Sequence, residues 1–399
     1  SECPPDLNIY VLFGIYLAET AMDYLMFAYN IAIFDAYQRR DITLKISTIR
    51  YVAQYILQAA VLLLFSNYYA YIIILPLMVF PCNLANYFAA RREYPELTCR
   101  GELDRDTKRD IYQRVATLFG HKVGSTVLVS LDSIIISAFL GLTTMSLYSN
   151  YYYIVTAVNG LVEIVTNGSI AGIGNKLLTD SDEDNYQLFR TMTFGWIALI
   201  GGAAACMLCF YQPFISAIWL GSEYLLADWL MVLIVIYFFS WMFRIMQLTY
   251  RDAAGLWVKD WLKPYIGMLL NLAGSIAMVK ATGSIAGVLV PTILVMFLVY
   301  FPWEAKVLFR YQFHRSWAPY LKKVGLYCLL CAAGCTLCYG ASMALTPANT
   351  IASLAIRCLL VAVIYPGIWL LFTRKTPEFQ HLLRIFLRYF QKFNKKERG

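Results

Sequence analysis

The stretch FGWIALIGGAAACMLCFYQPFISAIWL, residues 194–220, runs without a charged side chain, and after a short Gly-Ser-Glu turn YLLADWLMVLIVIYFFSWMFRIMQL, residues 224–248, nearly repeats the feat. About 20 apolar residues are what a helix needs to cross the hydrocarbon core of a bilayer. Two such runs in tandem read as an antiparallel pair of membrane helices. Working outward, eleven apolar blocks stand between charged punctuation: Leu7 to Ala32, Ile46 to Phe65, Tyr69 to Ala90, Val115 to Leu140, Leu147 to Ile170, Phe194 to Leu220, Tyr224 to Leu248, Tyr265 to Val279, Ile285 to Phe301, Val324 to Leu345 and Ile351 to Phe372. The fold class predicted is all-α, a polytopic helical membrane protein. Composition agrees: 60% hydrophobic and 15% charged residues, with a mean hydropathy of +0.57, leave a soluble core unable to hide the apolar surface.

The charges carry the orientation. If Arg39 and Arg40 face the cytoplasm, every second connection is cytoplasmic, and those segments hold 28 of the 33 Lys and Arg residues. The others are Arg50, Lys122, Arg244, Lys280 and Arg357, of which only Lys280 falls in an external turn. That is the positive-inside pattern, and it accounts for the net charge of +8 without nucleic acid as a partner. It places the first residue outside and the last inside. With a polar stub opening on Ser1 and no initiator Met or signal peptide, the expectation is a fragment lacking N-terminal helices, or a processed chain. The blocks from Leu7 to Ala90 and from Tyr224 to Phe301 share a pattern of helix, charged turn, helix, short turn and helix, which predicts an internal duplication of the kind secondary transporters carry.

Charges inside lipid cost about 2.5–3.5 kcal/mol each on insertion scales, so each needs a partner or a water-filled cavity. Glu19, Asp23, Arg50, Lys122, Asp132, Glu163 and Arg244 fall within the apolar blocks. Arg and Lys suit oxyanions, which makes Lys122, Arg244, Arg251 and Arg50 candidate anion ligands, with headgroup snorkelling as the alternative. Asp132 lies ten residues beyond Lys122, about 15 Å further along the helix, and with Glu163 is a candidate proton or sodium site; structural pairing with Ser130, Ser133 or Tyr151 is the alternative. Glu19 and Asp23, four apart on one helix face, form a second candidate pair.

Other chemistry is sparse. Cys328, Cys331, Cys335 and Cys338 form one helical stripe, which cannot surround a tetrahedral metal and reads as small-residue helix packing; only Cys3 of the ten cysteines lies in an external segment, so free thiols are expected. Arg384, Arg388 and Lys392 against Leu383, Phe386, Leu387, Phe390 and Phe393 read as an amphipathic tail on an anionic inner leaflet. The histidines are His121, His314 and His381, and no GxSxG, HExxH, Walker or GxGxxG constellation accompanies them. No catalytic residue, metal or cofactor is expected, and the chain is not expected to be an enzyme.

The pieces YQRVATLFGHKVGSTVLVSLDSIIISAFLGLTTMSLYSNYYYIVTAV at 112–158, GIGN at 172–175 and TYRDAAGLWVKDWLKP at 249–264 together resemble the Wzx-like polysaccharide flippases of the multidrug/oligosaccharidyl-lipid/polysaccharide exporter superfamily. The resemblance implies two six-helix bundles around a cavity with two further helices, fourteen in all, so that the first three are absent here. It divides the chain into the rest of the N-terminal bundle (1–114), a C-terminal bundle (115–323), two additional helices (324–372) and a basic tail (373–399). It further implies translocation of an undecaprenyl-diphosphate-linked oligosaccharide across the bacterial cytoplasmic membrane, coupled to H⁺ or Na⁺, with membrane lipids as the other partners. A multidrug-type cation antiporter of the same superfamily is the nearest alternative. A polytopic oligosaccharide polymerase or ligase is more remote, because the external turns are too short for a catalytic loop.

Overall fold

A computed structural model describes residues 8–26, 29–37, 39–97, 101–167, 170–346 and 351–396. Among them there are helices and turns but no strand, as hydrocarbon demands when every backbone N–H must find its partner inside its own segment. Among the described residues nine helices are long and apolar enough to cross a membrane, or ten if one bent pair counts as a single span. By length and composition the protein is a multi-pass, all-α membrane protein.

The chain forms two compact units, Ser1–Asp104 and Arg105–Gly399. The first holds α1 (Ile9–Leu25), α2 (Tyr29–Ala36), α3 (Arg40–Phe65) and α4 (Tyr68–Glu93), with α1 and α3 both packed on α4. The expected single span from Leu7 to Ala32 is instead two helices, α1 and α2, bent by 51°. Asn8 and Asn67 cap α1 and α4 by accepting from backbone N–H groups of the first turn. Buried amides stitch the unit: Asn83 Nδ2 donates to Met22 O at 3.3 Å and Gln58 Nε2 to Tyr71 O at 3.3 Å.

The second unit holds α5 (Arg105–Leu140), α6 (Leu142–Asn167), α7 (Ile170–Thr179), α8 (Asp182–Phe214), α9 (Asp228–Met242), α10 (Ile245–Ala253), α11 (Lys263–Thr282), α12 (Ala286–Val295), α13 (Phe301–Leu308), α14 (Ala318–Leu345), α15 (Ile351–Thr373) and α16 (Pro377–Lys396). The expected span from Leu147 to Ile170 is helical as α6, but α6 is not among the nine apolar enough to cross, because Tyr, Ser, Thr and Asn crowd its first half. Helix α8 begins at a Ser181 cap with Asp182, Glu183 and Asp184 in its first turn, the acidic placement a helix N-terminus favours. It packs on α14 and α15, where Cys331 Sγ reaches Ile197 O at 3.4 Å and Cys335 Sγ reaches Gly201 O at 3.6 Å. Small residues let these backbones approach, and the thiols Cys82, Cys206, Cys209, Cys328, Cys331, Cys335, Cys338 and Cys358 are free. Cys3 and Cys99 lie outside the described residues.

Glycine does the same work between α5 and α11. A Cβ on Gly124 would sit 2.7 Å from Pro264 Cβ, and one on Gly120 would sit 2.3 Å from Tyr265 Oη. The GHKVG run is thus a small-xxx-small seam against the start of α11. Between α12 and α13 the backbone widens into a π turn, Met296–Tyr300, and it does so again at Phe309–Phe313. Such turns re-aim the side chains that follow and are frequent at functional sites. Through them the helix that was expected to end at Phe301 runs on to Phe313.

Candidate functional site

Six charges meet where α10, α11 and α13 converge. The chain from α9 to α10 breaks at Phe243 and Arg244, which places the Arg244 guanidinium at the head of α10. Helix α10 ends at Ala253, and two residues on, Gly255 turns the chain with a φ of +67°, the left-handed conformation that suits glycine. The tight turn Leu256–Asp260 then brings Asp260 back beside α10, and Lys263 opens α11 beside Pro264. Glu304 arrives from α13, one turn past the π turn.

The geometry is an alternating string. Arg244 Nε donates to Glu304 Oε2 at 3.0 Å and to Oε1 at 3.1 Å, and its Nη2 also meets Glu304. Lys263 Nζ bridges Glu304 at 2.6 Å and Asp260 at 2.8 Å. Arg251 continues to Asp260 at 2.9 Å and to Asp252 at 2.7 Å. Tyr300 lies beneath two of the cations, 4.7 Å from Arg244 and 5.5 Å from Lys263, and Gly267 makes room for its ring, since a Cβ there would fall 2.0 Å from it. Three cations match three carboxylates. Burial of charge is tolerated under such pairing, and removing one partner strands the other.

A cavity of about 550 Å³ opens beside this string. Lys122 of α5 and Glu163 of α6 line it together with Arg244, Arg251, Trp241 and Tyr300. Lys122, Glu163, Arg244 and Arg251 were all sequence candidates, so four residues from three separate stretches share one wall. The difference from expectation is electrostatic: the guanidiniums of Arg244 and Arg251 already direct their N–H groups at carboxylates.

Asp132 occupies a different setting in the same unit. It is 1% exposed, and Thr292 Oγ1 donates to its Oδ1 at 3.1 Å while Asn271 Nδ2 donates to Thr292 Oγ1 at 2.6 Å. Tyr148 of α6 and Tyr237 of α9 crowd it. Neither tyrosine hydroxyl finds a partner of sound geometry, nor do Asp132 Oδ2 and Asn271 Oδ1. Hydroxyls from three helices, α6, α9 and α12, therefore surround one buried carboxylate of α5, with Asn271 of α11 behind Thr292, and among the described residues no cation pairs with it. The structural neighbours expected for Asp132, Ser130, Ser133 and Tyr151, do not bond it: Tyr151 Oη donates to Gln212 at 2.8 Å instead.

In the first unit, Arg50 lies between Glu19 at 3.5 Å and Asp23 at 3.8 Å. The candidate diphosphate ligand and the candidate ion site there are one cluster. Arg357, inside α15, is 1% exposed and donates to Cys209 O at 2.9 Å and Thr346 O at 2.8 Å, a cation held by carbonyls that sequence reasoning passed over. Asp260, Lys263 and Glu304 were passed over as well. Extending two apolar blocks by a turn would have brought Lys263 and Glu304 inside them.

At the end of the chain, Glu378 on α16 is clamped by Arg190 of α8 and Lys323 of α14. Burial alone would raise its carboxyl, but the hydrogen bonds from Lys323 and Arg190 outweigh that and hold it below the usual carboxylate range. Thr191 and the His381 ring, 2.8 Å apart, add a second tie. Leu383, Phe386 and Leu387 are exposed beside Arg384, which donates to Gln380 O; the side chains of Arg388, Phe390, Lys392 and Phe393, like that of His121, lie outside the described residues. No group of three or more His, Cys, Asp or Glu side chains forms a metal site among the described residues.

The pieces quoted for the family resemblance fall on these two sites. HKVG supplies Lys122 and the Gly124 seam, LDSIIIS supplies Asp132, LYSNY supplies Tyr148, and RDAAGLWVKD supplies Arg251, Asp252 and Asp260. Compared with known proteins, the chain matches no family model and no curated protein.

Proposed function

We propose that the chain is an ion-coupled flippase of the bacterial cytoplasmic membrane, moving an undecaprenyl-diphosphate-linked oligosaccharide from the inner to the outer leaflet. The observation that carries the transport reading is Asp132, a carboxylate buried within a membrane-spanning helix and faced by hydroxyl groups rather than a cation. A charge there is costly unless something neutralises it. A proton or a small alkali cation would do so, and hard cations prefer oxygen ligands of the kind that Asp132, Asn271, Thr292 and Tyr237 present. Filling and emptying that site is the event an ion gradient drives.

The sequence resemblance supplies the substrate. On the cavity wall Lys122, Arg244 and Arg251 are the cations assigned to the diphosphate, and Arg244 and Arg251 also hold the wall in shape through their carboxylate pairs. Two observations favour a second reading, a multidrug-type cation antiporter: the matched charges of the network, and Trp241 and Tyr300 in the cavity wall, since aromatic faces attract cations.

Reconstituted vesicles test both. The wild type should move lipid-linked oligosaccharide faster under an inward proton or sodium gradient, Asp132→Asn should lose the gradient response, and Lys122→Ala should weaken oligosaccharide binding. Gradient-driven flipping by Asp132→Asn would refute the coupling role. Transport of a lipophilic cation in place of the oligosaccharide would select the antiporter.

A further inference from the structure

Residues that neighbour the balanced network in sequence line a second cavity, of about 540 Å³. Lys259, Lys306 and Arg310 line it, with Trp303, Tyr311 and Trp317 between them and Leu298, Val299, Pro302 and Val307 completing the wall. No carboxylate contributes to that lining. The separation is built into the chain: Asp260 is buried and turns inward while its neighbour Lys259 is exposed, and Glu304 is buried while Lys306 is exposed. Lys306 near the end of α13 and Arg310 in the π turn that follows line the same wall. The Tyr311 ring gathers two of the cations, with Lys259 Nζ 5.3 Å and Arg310 Cζ 5.5 Å from its centroid. Among the described residues none of the three cations has an ion-pair partner.

We propose that this cavity is a binding site for an anionic phospholipid, its phosphate held by Lys259, Lys306 and Arg310 and its acyl chain laid along Leu298 and Trp303. Each part has a stated chemistry. Three like charges without a counter-charge call for an anion. Tyrosine and tryptophan suit the boundary between headgroup and hydrocarbon. The wall below is apolar and opens to the lipid-facing surface, where Leu298 is 69% exposed. A soluble anion would leave that lower wall unused, whereas an amphiphile covers both halves. The loop charges assign this end of the helix to the cytoplasmic leaflet, where anionic lipids meet basic pockets between membrane helices. The site lies outside the cavity assigned to the transported substrate and does not depend on that assignment.

The test uses the full chain in nanodiscs of mixed phosphatidylglycerol and phosphatidylcholine, followed by detergent extraction and native mass spectrometry of the retained lipid. Phosphatidylglycerol should be retained over phosphatidylcholine. Each cation is expected to contribute about fivefold, so Lys306→Gln should lower retention about fivefold and the triple variant Lys259→Gln, Lys306→Gln, Arg310→Gln on the order of a hundredfold. All three side chains are exposed, and a melting temperature equal to wild type confirms that the variants fold. Equal retention of the two lipids by the wild type, or undiminished phosphatidylglycerol retention by a folded triple variant, would overturn the proposal. Displacement of the lipid by millimolar inorganic phosphate would reassign the site to a soluble anion. Displacement by undecaprenyl diphosphate at a small fraction of the phosphatidylglycerol concentration would reassign it to the transported lipid.

Discussion

Glu304 and Asp132 are both buried carboxylates of the second unit, and they are compensated in opposite ways. Glu304, at 0% exposure, is met by Arg244 and Lys263. Asp132, at 1%, is met by a threonine hydroxyl and by tyrosine side chains, with no cation beside it among the described residues. The first is a closed arrangement in which each charge depends on another, and it holds three elements together. The second is open, and its missing counter-charge has to come from outside the chain. Buried carboxylates of equal accessibility therefore divide into a fastener and a receptor according to what faces them.

Removing the fastener should have the largest effect. Glu304→Gln leaves the Arg244 guanidinium buried without its carboxylate, at a cost of about 3–5 kcal/mol, and thermal unfolding in detergent should show a markedly lowered midpoint. An unchanged midpoint would mean that water reaches the string and that the contrast with Asp132 is one of degree. The receptor should instead respond to its ligand. If Na⁺ is the ion, a concentration one hundred times its Kd should stabilise the wild type by about 2.7 kcal/mol, and Asp132→Asn should abolish that gain while leaving the ion-free midpoint nearly in place. Sodium stabilisation that survives in Asp132→Asn would move the ion site elsewhere.

A smaller effect sharpens the role of Tyr300 beneath the cations. Gly267→Ala forces a methyl group against that ring and should cost about 1–3 kcal/mol by overpacking; a neutral result in the same unfolding assay would show that the ring can step aside without loosening Arg244. The smallest effect belongs to Glu378, which repeats the two-cation pattern of Glu304 outside the membrane-spanning helices. Its carboxyl is held low in the folded state, so its contribution is present above the unfolded value of about 4.3 and fades as the pH falls through the lower folded value. Protection of α16 against hydrogen exchange, relative to the intrinsic rate at each pH, should therefore fall as the pH drops below the usual carboxylate range, and Glu378→Gln should show the weaker protection at every pH. Exchange that is the same in both proteins would leave the Thr191–His381 tie and apolar packing as what holds the tail.

The sequence by itself determined that the chain is helical and lives in lipid, because uncharged runs such as Phe194 to Leu220 exceed what a water-soluble helix would carry, and it picked out most of the charges that matter, because a charge in hydrocarbon is conspicuous wherever it stands. It could not determine which charges meet. Lys263 and Glu304 looked like loop residues because π turns and a helix start beside Pro264 extend the helices past the apolar blocks. Arg50 lies 31 residues from Glu19, Arg244 lies 60 from Glu304, and Thr292 lies 160 from Asp132. Periodicity reports what shares a face of one helix, whereas the partner of a buried charge sits on another helix. Only the packing of α5, α6, α9, α11, α12 and α13 decided that Arg244 is neutralised and that Asp132 is not.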